Sequence, residues 1–267
     1  MTRRLGFFTD TTVCIGCKAC EVACKQWNGL PADGFEFTGM SYDNTAHLGA
    51  STWRHVAFIE RSSRHADQAS GLGDFSWLLM SDVCKHCARA GCLEACPTGA
   101  IVRTEFDSVY VQPDICNGCG FCVAACPFGV IDRRAGDGRA WKCTLCYDRL
   151  KDDATPACAQ ACPTESIVFG DLDELRTRAQ TRVEELHHAG VEDAYLYGAE
   201  ASDRPGTGQL NAFFLLVDEP EVYNLPPDPV APARYAGQAW RAAAASALAL
   251  AASVVITALS TRTPNGG

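Results

Sequence analysis

Apolar positions along the chain fall into short runs at a period of two, one stretch at helical period, and one long uncharged stretch near the C-terminus. Residues 5–9 read as a short strand, and residues 53–60 and 75–80 as two more, with a polar loop over 61–73 between them. Residues 100–104 and 109–111 read as a strand pair joined by a turn near 106–108. A strand at 166–170 leads into a helix. Asp171 stands at its N-cap position with Glu174 three residues on, and Gly190 ends it. Leu172, Leu175, Ala179, Val183 and Leu186 recur on one face of that helix and predict core packing rather than a partner surface. His187 and His188 close it, where the helix C-terminus favours them. Residues 212–217 read as a buried strand. Pro220, Pro226, Pro227, Pro229 and Pro232 then predict an extended, exposed connector.

Beyond the connector, residues 242–259 carry no charge. Trp240 and Arg241 flank one end and Arg262 the other, as in a short membrane span. An Ala-rich helix packed on a partner is the alternative. Arg234 and Arg241 on one side against Arg262 on the other leave the orientation of a span open.

The polar segments between these elements carry the chemistry. Sixteen cysteines form four quartets with none left over: Cys14, Cys17, Cys20, Cys24; Cys84, Cys87, Cys92, Cys96; Cys116, Cys119, Cys122, Cys126; and Cys143, Cys146, Cys158, Cys162. Each opens with C-x-x-C and closes with C-x-x-x-C, and Pro97, Pro127 and Pro163 follow the last three. The first and third have the full spacing of bacterial ferredoxins that hold [4Fe–4S] clusters. Three closely spaced thiolates suit three corners of one cubane. The fourth cysteine of such a run ligates the other cluster of a pair. Four thiolates per cluster make room for four clusters.

Other uses of cysteine fit this spacing poorly. A disulfide scaffold is short and does not space its cysteines at x-x intervals. Zinc uses paired C-x-x-C units, but needs neither a third cysteine two residues on nor the recurring C-P. No cysteine stands apart as a catalytic thiol. The net charge of -9 argues against nucleic acid as a partner. Lys18, Lys85 and Lys142 adjoin ligand positions, either as tuning charges or as solvated surface lysines. His86, inside the second C-x-x-C, would be redundant as a ligand. The Arg3-Arg4 pair is not followed by an apolar run of signal length before Cys14, so no export signal is expected.

These elements predict an α+β fold with two ferredoxin-like two-cluster modules, one nested in the other. The expected outer module comprises residues 1–30 and 139–170, the insertion 31–80, and the inner module 81–138. A helix–strand extension covers 171–219, the Pro-rich connector 220–239, and the hydrophobic, transmembrane helix 240–260.

The runs C-I-G-C-K-A-C-E-V-A-C-K-Q-W-N at 14–28, C-K-H-C at 84–87, C-N-G-C-G-F-C-V-A-A-C-P-F at 116–128 and K-C-T-L-C-Y-D-R at 142–149 resemble the iron–sulfur (beta) subunit of respiratory formate dehydrogenases. So does the tail, through E-P-E-V-Y-N-L-P-P at 219–227 to the last helix. The resemblance implies that Cys84, Cys87 and Cys92 pair with Cys126, and Cys116, Cys119 and Cys122 with Cys96. It implies likewise that Cys14, Cys17 and Cys20 pair with Cys162, and Cys143, Cys146 and Cys158 with Cys24. Because every position is cysteine, four [4Fe–4S] clusters are expected, on a chain that is not itself catalytic. Its implied partners are a molybdopterin (molybdenum or tungsten) alpha subunit and a membrane cytochrome b gamma subunit that reduces quinone. Its implied place is the cell membrane with the cluster domain extracytoplasmic and carried there by its partner; the cytoplasmic face is the alternative. The four-quartet core is shared with dimethyl sulfoxide, polysulfide and thiosulfate reductases, and a free-standing polyferredoxin is a further reading.

Overall fold

The computed structural model of the protein describes residues 3–32, 45, 47–62, 75–200 and 206–260. Residues 63–73 of the expected polar loop lie outside them. The chain divides into two units, Met1–Ala231 and Pro232–Gly267.

The first unit is organised by strand β1 (Leu5–Asp10), whose six residues are all buried. Its LGFFTD run is continuous rather than alternating because both faces are covered. Phe8 stacks on Phe213 at 5.5 Å between ring centroids, on one side of the sheet. Phe7 meets Phe169 at 5.6 Å and lies in the cluster of buried residues that also holds Cys20, Cys24, Cys143 and Cys158. Helix α1 (Ala19–Trp27) follows the first cysteine loop. Strands β2 (Arg54–Ser62) and β3 (Phe75–Val83) then form an antiparallel hairpin from Arg54↔Val83 to Ser62↔Phe75, where the insertion was expected.

A second group of short elements repeats a theme. Helix α2 (Gly91–Glu94), hairpin strands β4 (Ile101–Arg103) and β5 (Val109–Val111), and helix α3 (Phe121–Ala124) occupy the expected inner module. Helix α2 packs on α3. A small ladder of β6 (Asp132–Arg133) and β7 (Ala140–Trp141) leads to α4 (Tyr147–Lys151) and α5 (Ala157–Gln160). Helix α5 packs on α1, far away in sequence. Strand β8 (Ile167–Asp171) then pairs antiparallel with β1, from Leu5↔Asp171 to Thr9↔Ile167. The chain segments around the first and fourth quartets thus meet, as do those around the second and third.

Helix α6 (Leu172–His188) begins where Asp171 accepts from the Asp173 amide at 2.9 Å. All five residues of its predicted stripe are buried. Its end closes with Gly190 at φ +87° and a bond from the Val191 amide to the Leu186 carbonyl. Nε2 of His187 donates to the Ala194 carbonyl at 2.8 Å. Strands β9 (Tyr195–Tyr197) and β10 (Ala212–Leu216) complete a four-stranded sheet in the order β8-β1-β10-β9, with β10 parallel to β1.

The proline-rich segment departs from the extended, exposed connector predicted for it. Pro220–Tyr223 is a 3-10 turn, and Tyr223, Leu225 and Ala231 are buried. Tyr197 donates to the Pro226 carbonyl at 2.6 Å. Apolar side chains spaced between the prolines find the sheet's edge, so the first unit continues to Ala231. The second unit is a 3-10 turn, Pro232–Tyr235, and helix α7 (Ala236–Ser260). With mean hydropathy 2.1 over its best window, this helix is long and apolar enough to cross a membrane.

Candidate iron–sulfur centres

The four cysteine loops share one backbone device. In the C-x-x-C that opens each quartet the third residue is left-handed: Gly16 at φ +66°, His86 at +45°, Gly118 at +74° and Leu145 at +60°. A left-handed residue there curls the loop so that successive thiols face one side and the intervening amides face inward. Glycine adopts this freely, whereas at His86 and Leu145 it costs about 1–2 kcal/mol each. Those two loops carry buried side chains at that position, Leu145 being 0 % exposed. A matching device follows the closing cysteine of the last three quartets. Gly99, Gly129 and Glu165, each three residues beyond it, are left-handed and return an amide to that cysteine's carbonyl.

Hydrogen bonds reach several sulfurs. The Leu145 amide donates to Cys143 Sγ at 3.3 Å and the Ala140 amide to Cys116 Sγ at 3.4 Å. Nδ2 of Asn28 donates to Cys24 Sγ at 3.7 Å. Ser81 Oγ lies 3.2 Å from Cys20 Sγ. Thr98 and Thr164 repeat the same contact after C-P, at 3.6 Å from Cys96 and 3.8 Å from Cys162. Such donors favour a charged sulfur.

Thiols from different quartets act on one another's charge. Burial pushes Cys87 well up, and its neighbours Cys84, Cys126 and Cys92 add to this. Burial pushes Cys122 up to about 11, reinforced by Cys116, Cys119 and Cys96. Burial raises Cys14, with Cys162 and Cys17 as its thiol neighbours. Burial raises Cys24 well above the usual thiol range, reinforced by Cys143, Cys158 and Cys146. Each group of neighbours draws its outlying member from a different quartet. Cys84, Cys87, Cys92 and Cys126 also line one hollow with Phe128, Val130 and Ile131. Cys96 behaves differently. Its slight burial raises it, but hydrogen bonds from Thr98 and from the Ile101 and Ala100 amides outweigh that and hold it below the usual thiol value.

Further such pairs are Cys158 acting on Cys20, Cys84 on Cys143, and Cys122 on Cys92. Cys17 and Cys119 are exposed, whereas Cys143, Cys146 and Cys158 are buried.

Buried cations accompany the thiols. Lys85 is 1 % exposed, ion-paired to Asp82 and bonded to the Val83 carbonyl at 2.9 Å. Lys142 is 2 % exposed and donates to the Val109 and Cys143 carbonyls. Burial works against its charge, but Cys84, Cys92 and Cys143 nearby push its pKa up overall. Neither is the solvated lysine that adjacency alone allowed. Lys18 is partly exposed and lies 3.5 Å from Glu21. His86 Nδ1 accepts from the Val109 amide at 3.0 Å, tying β5 to the second loop. Burial, Lys142, Arg103 and Arg54 keep its ring neutral. Arg54, on β2, was not singled out by sequence reasoning. The signal was there: at strand period it shares a face with Val56, which is 1 % exposed.

All sixteen thiols are free. Among the described residues no three His, Cys, Asp or Glu side chains converge tightly enough for a single metal ion. Closely spaced thiols, half of them buried and several supplied with N–H and O–H donors, fit a polynuclear iron–sulfur group.

Comparison with known proteins accords with that donor set. One 4Fe-4S dicluster domain model matches residues 75–172 and another matches 13–100. The two overlap along the chain and follow quartets in sequence order, so they do not by themselves separate an inner from an outer module. The formate dehydrogenase iron–sulfur subunit of Haemophilus influenzae is 40 % identical over 227 residues, 82 % of this chain and 68 % of the relative. The nitrate-inducible formate dehydrogenase iron–sulfur subunit of Escherichia coli is 40 % identical over 224 residues, 82 % and 71 % of the two proteins. One subunit of the anaerobic dimethyl sulfoxide reductase of Escherichia coli is 33 % identical over 178 residues, 67 % and 78 %. With its cysteine loops, its fold and these relatives in agreement, the chain belongs to the family of formate dehydrogenase iron–sulfur subunits.

Proposed function

We propose that this chain is the electron-transfer subunit of a formate dehydrogenase complex and holds four [4Fe–4S] clusters. The ligand sets are Cys14, Cys17, Cys20 with Cys162; Cys143, Cys146, Cys158 with Cys24; Cys84, Cys87, Cys92 with Cys126; and Cys116, Cys119, Cys122 with Cys96. A bound [4Fe–4S] cluster supplies one-electron redox chemistry. The protein's own part is to hold the sites in line, exclude water and set the surrounding charge. The observation that carries this reading is the pairing of the cysteine-loop helices in space, α1 on α5 and α2 on α3, with exposed Cys17 in one pair and exposed Cys119 in the other. Two pairs, each with an exposed thiol, suit relay between two partners.

By the names of its relatives, electrons come from formate, oxidised at the molybdopterin subunit that the family resemblance implies. The apolar α7 supports a membrane anchor, and the family resemblance implies a membrane cytochrome b as acceptor. We place the cluster unit on the extracytoplasmic side, with the cytoplasmic side as the alternative. The likeness to a dimethyl sulfoxide reductase subunit favours one second reading, the same relay serving another molybdopterin enzyme.

The test is purification of the native complex from membranes, with iron, sulfide and formate:dye activity measured. The expected result is at least about 16 iron and about 16 sulfide per copy of this chain, at four of each per cluster, the partners' own iron coming on top, with a partner that oxidises formate. Metal without acid-labile sulfide would contradict the cluster assignment. A different substrate would move the chain to the second reading. A complex found wholly in the soluble fraction would remove the anchor and leave the relay standing.

A further inference from the structure

Arg54 is almost completely enclosed, at 1 % exposure, in a part of the chain that belongs to neither cysteine repeat. Its Nη1 donates to the Ser81 carbonyl at 3.2 Å and to Ser81 Oγ at 3.3 Å. That hydroxyl in turn lies 3.2 Å from Cys20 Sγ. The guanidinium carbon stands 4.7 Å above the Phe7 ring. Its Nε and Nη2 are buried and have no hydrogen-bond partner among the described residues. The Phe7 ring lies in the buried cluster that holds Cys20, Cys24, Cys143 and Cys158, thiols from both the first and the fourth quartets, and these are the groups whose charge would act on the guanidinium. Burying a guanidinium with two idle donors is strongly unfavourable unless an anion is supplied. No ion pair joins Arg54 to a carboxylate among the described residues, and the groups that would act on it as anions, once deprotonated, are sulfurs.

We propose that Arg54 is the shared counter-ion of the two outer clusters, donating Nε and Nη2 to cluster sulfur and raising the reduction potential of that pair. This rests on the four-cluster reading above. A cation held in low dielectric between two anionic centres stabilises the more negative, reduced state of each. It also weakens their mutual repulsion, which eases loading of adjacent centres. The insertion hairpin β2–β3 thereby contributes to the relay, through Arg54 and Ser81, without supplying a ligand. Arg54 is a positioning and tuning residue, not a catalytic one.

The test is a redox titration followed by electron paramagnetic resonance on the purified holo-complex, comparing wild type, Arg54→Met and Arg54→Lys. Wild-type iron and sulfide content in the variants is the check that the clusters themselves are present. The midpoint potentials of the outer pair are expected to fall in Arg54→Met and to fall less in Arg54→Lys, with the inner pair unmoved. Unmoved outer potentials at full cluster content would overturn the role of Arg54 while leaving the relay intact. Absence of acid-labile sulfide in the wild type would instead overturn the four-cluster reading itself. Should the variants fail to assemble, the wild-type complex grown with ¹⁵N-labelled arginine decides the matter. Pulsed resonance should show a ¹⁵N coupling on an outer-cluster signal, and its absence would overturn the proposal.

Discussion

The two faces of β1 border regions built on different physics. On one side α6, β10 and the 220–225 turn enclose Phe8, Leu172, Leu175, Phe213, Leu215 and Tyr223 in a hydrocarbon core. On the other, Leu5, Phe7, Val56 and Val83 share their space with Cys20, Cys24, Cys84, Cys143 and Cys158. The first region has a regular sheet and a helix of seventeen residues. Helices α2, α3 and α5 on the cysteine side are only four residues long. Such short helices cannot support themselves. Hydrocarbon burial holds the first region, and thiolate–metal bonds must supply much of what the second lacks. Buried charge occurs on both sides: Arg54, Lys85 and Lys142 lie on the cysteine side, and Asp10, at the end of β1, is held by Arg182 of α6 at 3.0 Å on the other.

Removing iron should separate the two regions most sharply. Chelation is expected to abolish amide protection around α2, α3, α4 and α5 while β10 and α6 keep most of theirs, as read by hydrogen exchange. Equal loss on both sides would mean that the sheet–helix layer depends on the metal as much as the loops do.

A smaller change on the hydrocarbon side comes next. Phe213 is 0 % exposed and stacked on Phe8, so Phe213→Ala should cost about 3–5 kcal/mol. Denaturant unfolding of the holo-protein measures the loss, and the iron and sulfide content of the folded fraction should stay at the wild-type level. Loss of cluster with no loss of stability would reverse the assignment of the two regions.

The mildest probe is alkaline pH. Burial, helped by Tyr223, Glu221, Asp218 and Glu219, lifts the Tyr195 phenol to about 12. The unfolded phenol titrates near pH 10. Above that the unfolded state loses its proton first, so stability is full below about pH 10 and declines up to about pH 12. Tyr197, lifted in the same direction by burial, adds to the slope. Tyr195→Phe should flatten part of it in denaturant midpoints taken across that window. An unchanged slope would show that the phenol is not shielded in the folded protein.

Much of this was legible in the residues. The stripe from Leu172 to Leu186 announced α6 because helical burial writes a 3.6-residue period. The sixteen cysteines announced their chemistry because metal ligation demands a residue type at a spacing. What escaped notice depends on distant pairing or on context. Nothing local in residues 212–216 says that β10 lies parallel to β1. His86 and Leu145 do not advertise left-handed backbone as Gly16 and Gly118 do. Prolines masked the buried Tyr223 and Leu225. Arg54 was passed over because a charged residue in a strand reads as solvent-facing, although its register with Val56 pointed inward.

The central claim is that each quartet lends its last cysteine to a neighbour. Replacing Cys24 tests it most directly, by comparing the resonance spectra and iron content of Cys24→Ser, Cys146→Ser and Cys17→Ser complexes. On the ligand sets proposed above, Cys24 joins Cys143, Cys146 and Cys158, so Cys24→Ser should lose or convert the same cluster signal as Cys146→Ser and keep the one lost in Cys17→Ser. A Cys24→Ser spectrum that instead matches Cys17→Ser would contradict the account.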